Sequence, residues 1–345
     1  MNQVKVVVTG ATGQVAYALL PRIAAGEIFG KDTEIDLRLS DIEPVIGKAK
    51  GVVMELEDGA YPLLARVSAS ADRAETHAGA DWVLLVGSLP RGPGMERSDL
   101  IQKNGPIFVE EGRAIAQSAS PNVRVVVVGN PCNTNCLIAR ANAPSVPDER
   151  WTALTRLDQN RARALLARKA EMRVTDVKRL CIWGNHSGTL FPDYTNATVH
   201  GKRPVNVVDR EWLKNEFIPA VQQRGAAVIA ARGASSAVSA AQAVVDHVRS
   251  LVTKTARGDW FSAAVVSDGS YDVPRGLVAS FPLTSNGDGG YAIVQGIKLN
   301  AFAKSKVTVS VEELERERDL VSDLLAGERR EEQKEEKEEQ PTAVG

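Results

Sequence analysis

Residues 4–8 form a β-branched run interrupted only by Lys5. A run of this kind, short and apolar on both faces, predicts a buried strand of a parallel sheet. Further strands are predicted over 34–39, 81–87 and 123–128. Helical patterning lies between them, and the stretch after residue 13 contains Pro21, which is expected to kink or interrupt its helix. Four parallel strands with intervening helices predict an α/β fold with a doubly wound parallel sheet, the Rossmann arrangement. In the second half, Leu154, Leu157, Ala162, Leu165 and Leu166 mark an amphipathic helix. Residues 180–183 read as a short buried strand ending at Gly184, and 311–325 as another helix. Residues 327–339 carry dense mixed charge without core residues, which predicts a solvated helix or disorder. The expected organisation is a dinucleotide-binding domain over 1–151, a second α+β substrate domain over 152–326 and a charged tail over 327–345.

Composition narrows the class. The chain has 345 residues, enough for two domains of ordinary size, and its apolar share of 43% suits a soluble globular protein. A net charge of −1 gives no reason to expect nucleic acid or an anionic membrane as partner. No apolar run is long enough to span a bilayer. The first strand starts at once, so no targeting peptide is expected. Cys132, Cys136 and Cys181 are an odd, sparse set that fits a reducing cytoplasm better than a disulfide framework. His77, His186, His200 and His247 are scattered, so no metal site is expected.

Candidate chemistry sits where the patterns break. The first strand runs into Thr9-Gly10-Ala11-Thr12-Gly13-Gln14-Val15-Ala16 and then a helix. Strand, glycine turn and helix N-terminus together cradle a pyrophosphate, although the spacing is GxxGxxA and a plain tight turn has the same residues. Asp41 follows the second strand, where a carboxylate accepts the ribose hydroxyls of an NAD adenosine and repels a 2′-phosphate. After the third strand comes a Gly/Pro-rich loop with Arg91 and Arg97, either a ligand-binding lid or a solvated turn. The fourth strand ends at Asn130-Pro131, where the amide can bond a group near the cofactor and the X-Pro bond can be cis. Asp158 and Arg161 share a helix face, and His186 lies just past a strand end. A carboxylate can orient and charge an imidazole while a guanidinium grips a substrate carboxylate. The alternative is an ordinary helix ion pair beside a core histidine.

With these residues in place the chain resembles the NAD(P)-dependent malate dehydrogenases of the cytosolic and chloroplast type, in the lactate/malate dehydrogenase superfamily. The stretches TGATGQVAYALL, PRGPGMERSDL, VVVGNPCNTN, LTRLDQNRA, IWGNHS and QQRGAAVIAARGASSAVSAA carry the likeness, in the family's order, between residue 4 and about residue 300. The resemblance implies hydride transfer between NAD and malate or oxaloacetate, with His186 as proton donor and acceptor and Asp158 as its partner. It implies Arg161 on the carboxylate beside the reacting carbon, Arg91 on the distal carboxylate and Arg97 polarising the carbonyl. Asn130 would contact substrate, and Val128, Gly129 and Asn104 would lie beside the cofactor. It also implies a place in the tricarboxylic acid cycle and a homodimer using helices near 54–64, 158–168 and 221–245. Glu111 and Gln159 depart from the family's usual residues, and no role is assigned to Glu111. Some wording is closer to NADP-dependent chloroplast enzymes, yet Asp41 is the NAD-type choice. The sequence shows no cysteine-bearing terminal extension of the chloroplast kind.

Three rivals are weighed. A lactate dehydrogenase needs a neutral residue, typically glutamine, at the position of Arg91. A short-chain reductase needs Tyr-x-x-x-Lys, and none of Tyr17, Tyr61, Tyr194, Tyr271 or Tyr291 has lysine four residues on. A non-catalytic NAD-binding protein has no need of His186, Asp158 and three arginines. Arg91 yields a direct test. A 2-oxo acid lacking the second carboxylate leaves this cation unpaired, which is costly. Arg91→Gln is therefore expected to lower kcat/KM for oxaloacetate by roughly 10²-fold or more, about 3 kcal/mol of transition-state stabilisation, and to raise the relative use of pyruvate. An unchanged ratio of the two substrates would sink this role.

Overall fold

In the computed structural model, which describes residues 2–90 and 95–325, the first apolar run becomes β1 (Asn2–Thr9). Val6, Val7 and Val8 are fully buried, and alternate side chains enter different cores: Val6 and Val8 one, Val7 the other. A strand covered on both faces needs this uninterrupted apolar pattern. The chain continues through α1 (Gln14–Ala24), β2 (Thr33–Ser40), α2 (Ile46–Asp58), β3 (Leu64–Ser70), α3 (Arg73–His77) and β4 (Trp82–Leu85). Then follow α4 (Arg97–Ser118), β5 (Arg124–Val127), α5 (Cys132–Ala141) and β6 (Trp151–Ala153). These strands lie in the order β3-β2-β1-β4-β5-β6, all parallel. The winding reverses between β1 and β4, and an open sheet leaves a crevice beyond the strand ends at such a point.

The parallel part thus has six strands where the patterning predicts four. β3 is a poorly buried edge strand with the sequence LARVSAS, and β6 is only three residues long, so neither gives a clear apolar period. α1 continues across Pro21 without interruption. The helix expected over 311–325 is α11 (Ala301–Leu320), which starts earlier because Asn300 caps it: its Oδ1 accepts from Ala303 N at 2.9 Å. A separate turn at Ser322–Leu324 follows. The expected charged tail, 327–345, lies outside the described residues.

The second half runs through α6 (Arg156–Lys169), β7 (Val177–Lys178), β8 (Cys181–Trp183), β9 (Phe191–Asp193) and β10 (Thr198–Val199). It continues with α7 (Arg210–Trp212), α8 (Ile218–Gln222), α9 (Arg224–Arg232), α10 (Val238–Val252), β11 (Phe261–Val266), β12 (Val278–Thr284), β13 (Ala292–Ile293) and α11. β11 pairs antiparallel with β6, and β12 and β13 extend the same sheet to nine strands. Backbone hydrogen bonds therefore join the two halves. Of the segments expected at a dimer interface, 54–64 spans the end of α2 and the first residue of β3, and 221–245 spans α9, a break and half of α10.

α10 packs a buried histidine against β6. His247 Nε2 lies 3.0 Å from Thr152 Oγ1, and Nδ1 has no partner among the described residues. Burial, and then the charge of Arg156, pull the imidazole down to about 3. The unfolded ring titrates near 6.5, so below that pH the unfolded chain binds a proton that the folded chain refuses. This contribution to stability is complete above about pH 6.5 and is lost progressively as pH falls toward 3. His247→Gln should flatten the fall in urea midpoint between pH 7 and pH 5. An equal fall in both proteins would show that the ring is not buried neutral.

Candidate active site

β8 delivers the histidine. The strand ends at Gly184, with φ +83°, where a Cβ would sit 2.2 Å from Ser310 Oγ. Only glycine makes that turn against α11, and it sends Asn185 and His186 out beyond the sheet. His186 Nδ1 meets Asp158 Oδ2 in the first turn of α6. Asp158 has 1% of its side chain exposed and His186 17%, so the carboxylate is the buried end of the pair. Asp158 Oδ1 accepts from Arg161 Nη1 at 3.3 Å, and Arg161 Nη2 donates to Ser236 Oγ at 3.1 Å. Burial draws the Arg161 guanidinium below the ordinary arginine value while Asp158 works the other way. The helix face read from sequence thus carries both partners. With Nδ1 engaged, Nε2 is the ring nitrogen left for a substrate.

The histidine backbone is held as firmly. His186 N donates to Asn133 Oδ1 at 3.0 Å, and Asn133 Nδ2 donates to Val278 O at 2.9 Å. Asn133 is fully buried, so α5 and β12 together fix the height of the ring. Beside it, Cys132 is no nucleophile: burial, then the negative Asp158, push its thiol up to about 12.

Asn130 opens the same turn three residues before Asn133, with a cis Asn130–Pro131 bond and an exposed side chain. Its carbonyl accepts from Asn104 Nδ2 at 3.3 Å. Asn104 is fully buried and also holds Leu89 through both backbone groups, so it braces the ends of β4 and β5. Val128 N and Gly129 N both donate to Leu85 O, tying the same two strand ends.

At the end of β1, Gly10 takes φ +61°, and a Cβ there would lie 2.4 Å from Gly87 Cα. Gly13 caps α1 without a side-chain bond, which leaves first-turn N–H groups around Gln14 and Val15 for an anion. Ala11 and Ala16 are fully buried and serve the turn by packing. Asp41 Oδ2 accepts from Thr12 N at 2.9 Å and Thr12 Oγ1 at 2.7 Å, and Oδ1 accepts from Ile42 N at 2.9 Å. The carboxylate therefore locks the glycine turn onto the end of β2 and keeps lone pairs for a further donor.

Arg97, the first residue of α4, is held by a residue that sequence reading missed. Its Nε donates to Glu317 Oε1 at 2.6 Å, and its Nη2 reaches Glu317 Oε2 and Asn185 Oδ1, each at 3.4 Å. Glu313 and Glu317 are one turn apart on α11 and both accept from Asn185 Nδ2 at 2.9 Å. Glu313 also takes the hydroxyls of Ser187 and Thr189. Both glutamates sit in a run of alternating charge, which gave no sign of an inward face. Arg91 lies outside the described residues. Among those described, no group of three or more His, Cys, Asp or Glu side chains could hold a metal.

Comparisons with known proteins bear on this arrangement. Residues 4–151 match the family described as lactate/malate dehydrogenase, NAD binding domain, and residues 155–324 match its alpha/beta C-terminal domain. The malate dehydrogenase of Magnetococcus marinus is 54% identical over 327 residues, which cover 94% of this chain and 99% of that protein. The crystal structure of malate dehydrogenase from Naegleria fowleri aligns with a TM-score of 0.90 at 43% identity, over 94% of this chain and 99% of that one. Lactate dehydrogenase from Trichomonas vaginalis, in complex with NADH and oxamate, aligns with a TM-score of 0.90 at 36% identity and the same coverage.

Proposed function

The chain belongs to the lactate/malate dehydrogenase family, and from that premise we propose that it interconverts malate and oxaloacetate with NAD. The observation that carries the reading is the His186–Asp158–Arg161 unit, an imidazole with a buried carboxylate behind it and a guanidinium on the same carboxylate. NAD, when bound, supplies or takes the hydride. The residues fit it: the turn at Gly10 has no room for a Cβ, the N-terminus of α1 is uncapped by any side chain, and Asp41 stands at the end of β2.

The chain's own residues do the rest. In reduction, Nε2 of protonated His186 gives a proton to the carbonyl oxygen while Asp158 holds the ring through Nδ1. In oxidation the neutral ring takes that proton back. Arg161, already oriented by Asp158 and Ser236, grips the carboxylate beside the reacting carbon through parallel N–H groups. Arg97 polarises the carbonyl, and Arg91 holds the distal carboxylate, which favours malate over lactate as substrate. Asp41 favours NAD over NADP, since a 2′-phosphate beside a carboxylate is repelled.

The motif wording supports membership in the cytosolic and chloroplast type and a place in the tricarboxylic acid cycle. The three buried free cysteines support a reducing, cytoplasmic setting. Exposed apolar Met54, Ile229 and Val238 on α2, α9 and α10 support a homodimer through those helices. Sedimentation should then give a mass near twice the chain's 37.0 kDa, and a single species at the chain mass would overturn the dimer.

Initial rates in both directions test the assignment. Reduction uses the proton that His186 carries and oxidation the neutral ring, so the two directions should respond to pH in opposite senses. His186→Asn should nearly abolish turnover yet spare NADH binding, read by fluorescence. Asp158→Asn should cost less, because the proton carrier remains. Substantial activity in His186→Asn, or a larger loss in Asp158→Asn than in His186→Asn, would mean that the pair is misassigned.

A further inference from the structure

Asp158 acts behind His186 and Arg161, and the C-terminal helix offers Arg97 a comparable carboxylate. Glu317 has only 5% of its side chain exposed, while 30% of Arg97 is exposed. The carboxylate takes the Nε and Nη2 edge of the guanidinium side-on. Among the described residues Nη1 has no protein partner, so the edge that carries it keeps N–H groups for an anionic or carbonyl oxygen. Glu317 is fixed in turn. Thr134 Oγ1 donates to Oε2 and Asn185 Nδ2 to Oε1. Thr134 adjoins Asn133, which holds the His186 backbone, and Asn185 adjoins His186 itself. One buried carboxylate thus joins Arg97 to both segments that place the histidine.

We propose that Glu317 is a positioning residue for the reaction: it orients Arg97 so that its free edge meets the substrate carbonyl as charge develops on the oxygen. The proposal rests on the malate dehydrogenase reading and adds α11 to the machinery. A guanidinium held by two bonds from a buried carboxylate loses little freedom when substrate arrives, and such preorganisation acts on the transition state more than on binding.

The test is a double-mutant cycle in the full chain, with Glu317→Gln, Arg97→Gln and the pair, assayed with NADH and oxaloacetate. Glu317→Gln is expected to lower kcat roughly 10- to 100-fold, the range that misplacing a reacting group produces, with a smaller change in KM. NADH affinity should not change. The primary isotope effect from NADH deuterated at the transferred hydrogen should rise, because the chemical step is slowed. In the Arg97→Gln background the same change should cost less than about threefold, since residues acting as a unit are non-additive. Equal losses in both backgrounds would show a merely structural role and overturn the proposal. If Glu317→Gln does not fold, Glu317→Asp keeps the charge with a shorter reach and should show an intermediate loss with the same dependence on Arg97. A wild-type enzyme inactive on oxaloacetate overturns both the reading and the proposal. An active one with additive losses overturns only the role of Glu317.

Discussion

A carboxylate out of water must be paired, and Asp158 is almost wholly out of water. Its two oxygens face His186 from the end of β8 and Arg161 from its own helix. Removing either partner leaves one oxygen of a buried carboxylate unpaired, which costs stability. The constraint is therefore mutual. The helix must start where it does, the strand must end where it does, and the glycine between β8 and His186 must turn without a side chain. An imidazole with one nitrogen taken by a fixed anion has its orientation decided before any substrate arrives, which is what proton transfer in a defined direction requires.

The sheet makes that constraint affordable. Because β11 pairs with β6, the antiparallel strands of the second half continue the parallel sheet of the first, and β12 touches the catalytic region directly. The residues proposed to hold a dinucleotide sit at the ends of β1, β2 and β5, and Asn133 follows β5 in the first turn of α5. Cofactor side and acid–base side are thus joined by main-chain hydrogen bonds and a buried asparagine, with no flexible linker between them.

α11 closes the arrangement from a third direction. Ser310, Glu313 and Glu317 lie along one face of the helix and take bonds from residues 185–189 and from Arg97. Two neighbouring acids share one amide and take separate hydroxyls, and among the described residues the Arg97 guanidinium supplies the opposite charge. Such a cluster is stable only with every donor aimed inward, so the helix and the histidine segment specify one another.

Much of this was legible in the residues alone. The apolar run of β1, the glycine turn, Asp41 and the spacing of Asp158 and Arg161 each follow from local rules: a period, a turn that needs positive φ, a helix face. The resemblance of the motifs then named the lactate/malate dehydrogenase superfamily, and the comparisons bear out that level of the likeness. What the sequence did not reveal lacks a local signature. β3 is half exposed and β6 is three residues long, so pairing, not patterning, makes them strands. Asn300 caps α11, which begins ten residues before its expected start. Glu313 and Glu317 look like any surface acids in a charged helix. Their partners lie far along the chain, Glu317 to Arg97 across 220 residues, and only the fold brings them together. Sequence determined which groups could do the chemistry, because reactivity and backbone freedom belong to single residues and their neighbours. Tertiary structure decided what holds those groups in place, because a buried polar side chain takes its role from whatever the fold sets against it.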